Sequence, residues 1–573
     1  MKRIDLLHNA KNRKDLADIL GIKVSTLTYI LYKIPEDEKY IEKIIPKKNG
    51  RERLISIPME KLKMLQSKLA VLLTNCVGEL DKNISWSSYG FRKSTKYSLH
   101  NHVKNHKGRR HVLTFDIKDF FPSINFGRIR GFFIKSKHFK LNHEVATTIA
   151  QISCFNNQLP QGSPCSPIIS VLIGSILDAR MVKLAKKNSC FYSRYADDLV
   201  LSTNKKEFPS SIACRQDYKS EQWILGSELL HEVERSGFNV NSSKTHYMHK
   251  SKRQLITGLV GNKKVNIKSE YYKLARSMVH NYIKTGRYYI PSVKRSDGKS
   301  LEVRPDRLNG ILSYIYYTKV SFQPASSKKK NNNVGIGKLY KQFLWCSCFF
   351  RADKPLILTE GISDQLYLRY ALRTLAASCP NLISMENDTT SYSITFFNRA
   401  RKRNYVMGLK ADGGVGGLYA FLNQYMEGYN DKKSILHKTI NKVAPNHPVL
   451  IICDGDDAGT KFFKAAIKNK KNNESHHIDV SLFKFVHIKG NIYIAKLPDK
   501  KEIEDLFESE TAKKLKKHKE CFLSNKNEIL NLLKKNSNWG EFKKIFDAVN
   551  DAISSYKGSI ANPKEPFHSH NRS

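Results

Sequence analysis

The sequence predicts two domains, of which the second is a small α/β domain with a parallel sheet over residues 351–510. Three observations support this division. Aromatic and basic residues interleave up to about residue 320, the stretch SFQPASSKKKNNNVGIG that follows has no apolar period, and strand-like and helix-like segments then alternate. We therefore expect a first domain over 1–320, a linker over 321–350 and, beyond the α/β domain, a basic helical tail over 511–573.

The charge of the chain indicates the class of its partner. The 573 residues include 98 Lys and Arg against 52 Asp and Glu, which gives a formal net charge of +46. The excess is spread along the whole chain, and this favours a large polyanion over one localised acidic ligand. Nucleic acid is the expected partner, and a solvated basic surface without a partner is the alternative.

The sequence carries no signal that predicts export or membrane insertion. The opening MKRIDLLHNAKNRKDLADIL lacks the apolar core of a secretory signal, and the apolar run IISVLIGSIL is well short of the ~18 residues that span a bilayer. The ten cysteines are scattered, and the close pair Cys346 and Cys348 lacks a second pair at zinc-ligand spacing. We expect a cytoplasmic protein with reduced cysteines and no membrane partner.

An aspartate doublet, Asp197-Asp198, lies between the strand-like runs CFYSR and LVLST, which predicts a tight hairpin. Upstream, Asp116 ends another apolar strand in RRHVLTFDIKDFFPSI, and two adjacent strands would bring Asp116 and Asp197 together. Phosphoryl transfer onto a 3′-hydroxyl is carried out well by two metal ions about 4 Å apart, and carboxylates are the ligands that Mg²⁺ prefers. For each Asp taken alone, the alternative is a structural role, in which its side chain hydrogen-bonds the backbone of a turn.

Several segments, in the same order along the chain, resemble the motifs of reverse transcriptases. The segment FDIKDFF resembles the first catalytic motif, LPQGSPCSP (159–167) the motif that grips the template and the nucleotide, and YADD the signature hairpin. Four further pieces agree in order: RERLISIP (51–58), YGFRKSTKYSLH (89–100), GFNVNSSKT (237–245) and LITGL (255–259). The resemblance covers about residues 20–320 and, within that superfamily, is to bacterial retron reverse transcriptases. It implies an α+β right-hand polymerase, with fingers and palm over about 1–250 and a thumb over about 251–320.

The resemblance also implies roles for individual residues. Asp116 and Asp197 would hold Mg²⁺, with Asp198 as a weaker contributor and the backbone of Ile117 as a further ligand. The remaining implied roles are a sugar-selecting steric gate at Phe121, template and nucleotide contacts at Gln161 and Gly162, and a contact to the leaving pyrophosphate at Lys244, for which a solvated lysine is the alternative. Retron enzymes prime from a 2′-hydroxyl of their own structured RNA, which implies a cognate non-coding RNA, dNTPs and an RNA-linked single-stranded DNA product as partners.

One N-terminal segment has two interpretations. LADILGIKVSTLTYIL, residues 16–31, has the apolar spacing and central Gly of a helix-turn-helix, which could read a DNA major groove. The second interpretation is a small helical extension of the polymerase, and the family resemblance favours it.

A second acidic cluster lies in the C-terminal part. In HPVLIICDGDDAGTKFF (447–463) an apolar strand ends at Asp454-Gly-Asp456 and a helical pattern follows, whereas LILTEGISDQLYL places Glu360 after another strand. Carboxyl ends of neighbouring parallel strands meet at one edge of a sheet, so these three carboxylates would converge and bind Mg²⁺ or Mn²⁺. Acidic helix caps are the alternative. The auxiliary candidates are Asp364, Asp457, Glu504 and Asp505, and GGVGG (413–417) is a weak phosphate-loop signal.

This second pattern resembles a Toprim domain, in which a Glu and a DxD motif follow two strands. The resemblance implies a nuclease, since the remaining residues leave little room for the large domain that carries a topoisomerase tyrosine. A retron-like enzyme fused to such a domain is similar to anti-phage systems in which the reverse-transcribed product restrains a toxic effector. The alternative is a nucleic-acid-binding scaffold with an active polymerase and a catalytically silent Toprim module. A homo-oligomer is left open.

Overall fold

The computed structural model describes residues 2–46, 52–81, 86–217, 222–294, 300–302, 304–322, 335–386, 389–397, 401–409, 414–440, 443–468, 483–519 and 525–561. The chain divides into two compact units, Met1–Lys268 and Ser269–Ser573. This division differs from the expected domain boundary near residue 320. The two helices that follow Lys268 pack on a helix of the second unit, so they belong with the C-terminal part.

The first unit is α+β. Its helices are α1 (Arg3–Asn9), α2 (Arg13–Leu20), α3 (Val24–Tyr32), α4 (Glu60–Leu80), α5 (Leu99–Asn105), α6 (Phe126–Lys135), α7 (His143–Ser153), α8 (Ser166–Lys187) and α9 (Ser227–Glu234). Its strands are β1 (Tyr40–Pro46), β2 (Glu52–Pro58), β3 (His111–Lys118), β4 (Phe191–Tyr195), β5 (Asp198–Thr203), β6 (Ala213–Arg215), β7 (Trp223–Leu225), β8 (Asn239–His249), β9 (Leu255–Ile256) and β10 (Leu259–Val260).

An antiparallel sheet of four strands, in the order β4-β5-β3-β8, organises the first unit. Strand β3 is central and buried along nearly its whole length, which explains its apolar sequence HVLTF before Asp116. Helix α8 packs against β4 and is buried on most of its surface, consistent with its largely apolar sequence SPIISVLIGSIL. The sheet thus presents the carboxyl end of β3 beside the β4–β5 hairpin.

The N-terminal segment forms two helices joined by a short turn. Asn12 caps α2 by accepting a hydrogen bond from the backbone N–H of Asp15, 3.0 Å away. Leu16, Leu20 and Leu27 lie in the core of the first unit, so α2 and α3 are an integral part of that unit. The expected helices are present, whereas binding of DNA by them stays a prediction.

The second unit is built around a different sheet. Its helices are α10 (Ser269–Thr285), α11 (Pro305–Tyr316), α12 (Ile336–Trp345), α13 (Ile362–Thr374), α14 (Arg401–Met407), α15 (Val415–Asn430), α16 (Ile435–Ile440), α17 (Asp457–Lys468), α18 (Ser509–Lys519), α19 (Lys526–Lys535) and α20 (Gly540–Ala561). Its strands are β11 (Tyr289–Lys294), β12 (Ser300–Glu302), β13 (Leu356–Thr359), β14 (Ile383–Glu386), β15 (Thr389–Tyr392), β16 (Thr395–Phe396), β17 (Val449–Cys453), β18 (Val486–Lys489) and β19 (Ile492–Lys496).

Five strands of the second unit form one sheet in the order β16-β13-β17-β19-β18. The pairs β16–β13, β13–β17 and β17–β19 are parallel, and β18 runs antiparallel at the edge. The sheet is therefore mixed, and the expected parallel arrangement is present in four of its strands. Strands β13, β17 and β19 are buried on both faces, as continuous apolar runs such as VLIIC predict.

Two predicted segments differ from the structure. Residues 323–334 of the predicted linker lie outside the described residues, but the part that follows is helical, and Trp345 and Phe349 are buried there. The predicted basic tail is helical, yet α20 is not peripheral. Phe542, Phe546 and Val549 share one face of α20 and lie in the same core as strand β17. Apolar spacing on one helix face outweighs the high lysine content in both segments.

Two other sequence expectations concern cysteines and membranes. The nine cysteines that fall in the described residues are free thiols. Within the same residues, no helix combines the length and the apolarity required to cross a bilayer.

Candidate active sites

The β4–β5 hairpin carries the aspartate doublet on a turn of two residues. Tyr195 pairs with Asp198 across the hairpin, which leaves Ala196 and Asp197 as the turn. Ala196 has φ 58°, the conformation required at the first position of a type II′ turn, where glycine is usual. An alanine in this region costs about 1 kcal/mol, so the surrounding structure must hold the turn in place.

The turn brings three carboxylates together at the end of β3. Asp116 lies directly opposite Asp198 in the antiparallel register of β3 and β5. The backbone N–H of Ile117 donates to the carbonyl oxygen of Asp197 at 3.0 Å, which ties the turn to β3. Asp198 is the member of the doublet that pairs with Asp116 across the two strands, and its expected weaker contribution to metal binding stays a prediction.

The pKa values of the doublet reflect this crowding. Burial raises the pKa of Asp197, and the charge of Asp116 adds to the effect. Burial, followed by a hydrogen bond with Asp116 and its charge, raises the pKa of Asp198 to about 8. Several carboxylates at one partly buried place repel one another, and a divalent cation relieves that repulsion. The donor set therefore fits Mg²⁺.

Lys244 contacts the same cluster. The ladder between β3 and β8 is irregular, since Thr114 pairs with His246 whereas Asp116 pairs with Asn241. Lys244 lies in this β-bulge, and its ammonium forms an ion pair with the carboxylate of Asp116. The hydrogen bond with Asp116 raises the pKa of Lys244. Lys244 is thus placed at the acidic cluster, and its contact with pyrophosphate stays a prediction.

The segment that carries Gln161 and Gly162 is fixed to strand β2. The carbonyl oxygen of Gln161 accepts a hydrogen bond from the backbone N–H of Ser56 at 2.8 Å. Gly162 has φ 128°, and a Cβ there would lie 2.5 Å from the carbonyl oxygen of Ser56, so a side chain would not fit. The role of this segment in binding template and nucleotide stays a prediction.

Phe121, the expected steric gate, is half-buried five residues beyond Asp116. Its ring makes edge contacts with two others, Phe120 at a centroid distance of 5.6 Å and Phe91 at 6.0 Å. The ring is therefore held by aromatic neighbours on the α+β unit that carries the aspartates.

A buried ion pair supports the turn, and the sequence did not reveal it. Arg194, at the end of β4, is fully buried and binds both carboxylate oxygens of Asp178 on α8, each at 2.8 Å. The same guanidinium donates to the carbonyl oxygen of Ala196 at 2.9 Å. Losing one partner of such a pair costs about 3–5 kcal/mol because the other charge stays buried. The signal in the sequence was an arginine inside a short strand with three aromatic residues.

The C-terminal acidic residues meet at the carboxyl ends of two parallel strands. Glu360 follows β13 and Asp454 follows β17, and these strands are neighbours in register. A carboxylate oxygen of Glu360 accepts from the backbone N–H of Asp454 at 3.0 Å, and both side chains are buried. Burial and then the charges of Glu360 and Asp454 raise the pKa of the Cys453 thiol. Residues 94 positions apart in sequence thus form one site.

Asp456 has a local structural role. Its carboxylate accepts a hydrogen bond from the backbone N–H of Gly459 at 2.7 Å, at the start of α17. A Cβ added at Gly459 would meet both the carbonyl oxygen of Asp454 and the carboxylate of Asp456, which places Asp456 beside Asp454. The structure therefore brings the three predicted residues to one edge of the sheet, with one of them acting as a helix cap.

The auxiliary candidates for metal or phosphate binding have different positions in the structure. Asp364 accepts from the backbone N–H of Gly361 at 2.7 Å and caps α13, whereas Asp505 accepts from that of Glu502 at 2.9 Å and caps a short helical turn. Asp457 is exposed on α17 and Glu504 is buried. Part of GGVGG is described: the N–H of Gly414 donates to the carbonyl oxygen of Glu360 at 2.8 Å, whereas Gly413 lies outside the described residues.

Metal ligation stays a prediction at both sites. Among the residues with described positions, no group of three or more His, Cys, Asp and Glu side chains has the arrangement of a metal site. The chemistry of both donor sets, hard oxygen ligands that are partly or fully buried, fits Mg²⁺ or Mn²⁺.

Comparison with known proteins identifies a family, several relatives and structures of similar fold. A family model described as reverse transcriptase (RNA-dependent DNA polymerase) matches residues 45–269. The chain is similar to the retron Ec86 reverse transcriptase of Escherichia coli, with 31% identity over 307 residues that cover 53% of this chain and 83% of that protein. It is also similar to the retron Mx65 reverse transcriptase of Myxococcus xanthus, with 27% identity, covering 53% of this chain and 68% of that protein.

Among solved structures, the apo telomerase from Candida tropicalis aligns with a TM-score of 0.32 and 12% identity, over 70% of this chain and 67% of that chain. The match to the family model includes β3, the β4–β5 hairpin and β8, and hence every residue of the first acidic cluster.

Proposed function

The chain belongs to the family of retron reverse transcriptases, which are RNA-directed DNA polymerases, and we propose that it makes branched, RNA-linked single-stranded DNA. The template would be a cognate structured non-coding RNA. The observation that carries the proposal is the position of Asp198 directly opposite Asp116, with Asp197 in the adjoining turn. The net charge of +46 supports a nucleic acid as template and primer.

The first acidic cluster would hold the metal ions of the reaction. Asp116, Asp197 and Asp198 would bind Mg²⁺, with the backbone of Ile117 as a further ligand. When bound, the ions lower the energy needed to activate the attacking hydroxyl and stabilise the leaving oxygen. Lys244, now paired with Asp116, would neutralise negative charge close to the same place.

The nucleic acid that co-purifies with the protein tests the proposed product. We expect an RNA joined to single-stranded DNA, in which RNase treatment leaves a DNA of defined length and DNase treatment leaves a defined RNA. Sequencing of both parts would identify the template. Purification of random cellular RNA without attached DNA would contradict the proposed product while leaving the family assignment intact.

Sugar selection gives a second test of the polymerase site. Phe121→Ala should reduce the preference for dNTPs over rNTPs by up to about 100-fold, because a snug apolar pocket rejects an added hydroxyl by about that factor. The measurement is kcat/KM for dATP and ATP on a primed RNA template. Phe121→Tyr, which keeps the ring, is the control. An unchanged preference in Phe121→Ala would remove this residue from the gate.

For the second unit we propose a Toprim domain with metal-dependent nuclease activity. The support comes from Glu360 and Asp454, which lie at the carboxyl ends of neighbouring parallel strands, the usual place for a site in an α/β sheet. With Asp456 they would bind Mg²⁺ or Mn²⁺. We further propose that the reverse-transcribed product restrains this activity and that the whole serves anti-phage defence, a role that rests on the resemblance to effector-fused retrons.

A specific observation favours the second candidate, a catalytically silent Toprim module beside an active polymerase. Asp364, Asp456 and Asp505 each accept a backbone hydrogen bond at the start of a helical turn, and such caps stabilise the fold without any metal. Glu360 and Asp454 also accept backbone hydrogen bonds, Glu360 from the N–H of Asp454 at 3.0 Å and Asp454 from the N–H of Ile503 at 3.2 Å. Loss of nuclease activity in Glu360→Gln is therefore the result that distinguishes the two candidates.

A further inference from the structure

The segment before Phe91 is attached to the catalytic turn. The backbone N–H of Tyr89 donates to the carbonyl oxygen of Arg194 at 2.7 Å, and Ser88 forms a parallel bridge with the same residue. At Gly90 the chain passes the turn so closely that a Cβ would lie 2.6 Å from the backbone nitrogen of Ala196. Only glycine fits there, so the segment is held against the turn that carries Asp197.

Phe91 follows in an unusual conformation. Its φ is 60°, a region that a bulky residue adopts at a cost, and its side chain is 42% exposed, so burial in the core does not explain the ring. The chain is anchored on the other side as well, because Arg92 stacks on the ring of Tyr97 at 4.1 Å and pairs with Asp81. The position of Phe91 is therefore imposed by both of its neighbours.

The imposed position brings the ring of Phe91 against Phe121. The two centroids are 6.0 Å apart and the planes meet at 61°, an edge-to-face contact. Among the described residues, the second aromatic neighbour of Phe121 is Phe120, which is buried and so supports the ring from the core side. Phe91 thus contacts Phe121 from a partly exposed position.

We propose that Phe91 is a positioning residue for sugar selection, which holds the ring of Phe121 at the place from which it excludes a 2′-hydroxyl. The inference rests on the proposed role of Phe121 and extends it to a second ring from a different segment of the chain. A ring selects against one added oxygen only if it is prevented from moving aside. Without Phe91, the ring of Phe121 keeps its inner support and loses the outer one.

The experiment compares single-nucleotide incorporation of dATP and ATP by the full chain on poly(rU) primed with oligo(dA). The variants are Phe91→Ala, Phe91→Tyr, Phe121→Ala and the double variant with both alanines. Tyr405→Ala, which removes a 53% exposed aromatic side chain from α14 of the second unit, is the matched control. Phe91→Gly removes the ring but suits the positive φ, so its melting temperature should not fall.

We expect Phe91→Ala and Phe91→Gly to lower the preference for dATP about three- to tenfold, the effect of losing one edge-to-face ring pair. The change should come from a lower KM for ATP, whereas Phe91→Tyr and Tyr405→Ala keep the wild-type preference. The preference of the double variant for dATP should be no lower than that of Phe121→Ala alone, because both rings act through one contact.

Equal loss of kcat for both nucleotides in Phe91→Ala, with an unchanged preference, would overturn the proposal and leave Phe91 a structural residue. If Phe121→Ala lowers the preference for dATP over ATP and Phe91→Ala does not, the proposal for Phe91 is overturned, whereas the role of Phe121 as the steric gate is supported. If Phe121→Ala leaves the preference for dATP over ATP unchanged, Phe121 is not the steric gate, and the inference for Phe91 is refuted as well.

Discussion

Replacement of both Asp197 and Asp198 by alanine is expected to abolish DNA synthesis while RNA binding persists. The loss should exceed about 100-fold, since even residues that only orient a metal ligand contribute up to that factor. Asp198 faces Asp116 across the strand pair, so the variant removes two of the three carboxylates that would hold the metal ions. RNA binding is expected to depend on phosphate contacts from the basic surface, and the double change removes two negative charges, which takes the formal net charge from +46 to +48.

The measurement is incorporation of labelled dNTPs on an RNA template with Mg²⁺, beside a filter-binding assay of RNA affinity at one salt concentration. Asp119→Asn is the matched control because Asp119 is exposed three residues beyond Asp116, and its φ of 46° suits asparagine equally well. We expect near-normal synthesis by the control. DNA synthesis by the double alanine variant would show that the metal site is elsewhere.

Glu360→Gln is expected to abolish a nuclease activity that the polymerase-dead variant retains. Glutamine has the same shape and keeps an oxygen that can accept the N–H of Asp454, so the loop between β17 and α17 should be preserved. The change removes the negative charge that a divalent cation requires, and cleavage should therefore fall by more than about 100-fold. EDTA should abolish cleavage by the polymerase-dead protein in the same way.

The assay follows degradation of labelled DNA, labelled RNA and structured small RNAs with Mg²⁺ and with Mn²⁺. The proteins are the Asp197→Ala variant, the same variant with Glu360→Gln, and the same variant with Glu427→Gln, an exposed glutamate on α15 that serves as the control. Equal cleavage by the Asp197→Ala variants with and without Glu360→Gln, or no cleavage with either Mg²⁺ or Mn²⁺, would favour the catalytically silent Toprim module. In cells, the polymerase-dead protein should be toxic or fail to defend, according to whether the product inhibits or assembles the effector.

The sequence by itself identified the residues of both acidic clusters. An aspartate after an apolar strand, a doublet inside a short hairpin and a strand that turns directly into a helix are local patterns, because each depends on the alternation of side chains over a few residues. The same patterns predicted the helices at the N-terminus and the parallel strands around Glu360 and Asp454.

The tertiary structure decided how these elements pair. It placed Asp198 rather than Asp197 opposite Asp116, because strand register depends on the whole sheet, and it set Lys244 on Asp116 through a bulge in β8. It buried α20 in a core and assigned the helices after Lys268 to the second unit.

The contacts that support the first site also came from the tertiary structure. The pair Arg194–Asp178 and the approach of Gly90 to Ala196 join segments that no local pattern connects. Such contacts depend on the packing of distant surfaces, where a guanidinium or a missing side chain gains its role only from what lies against it.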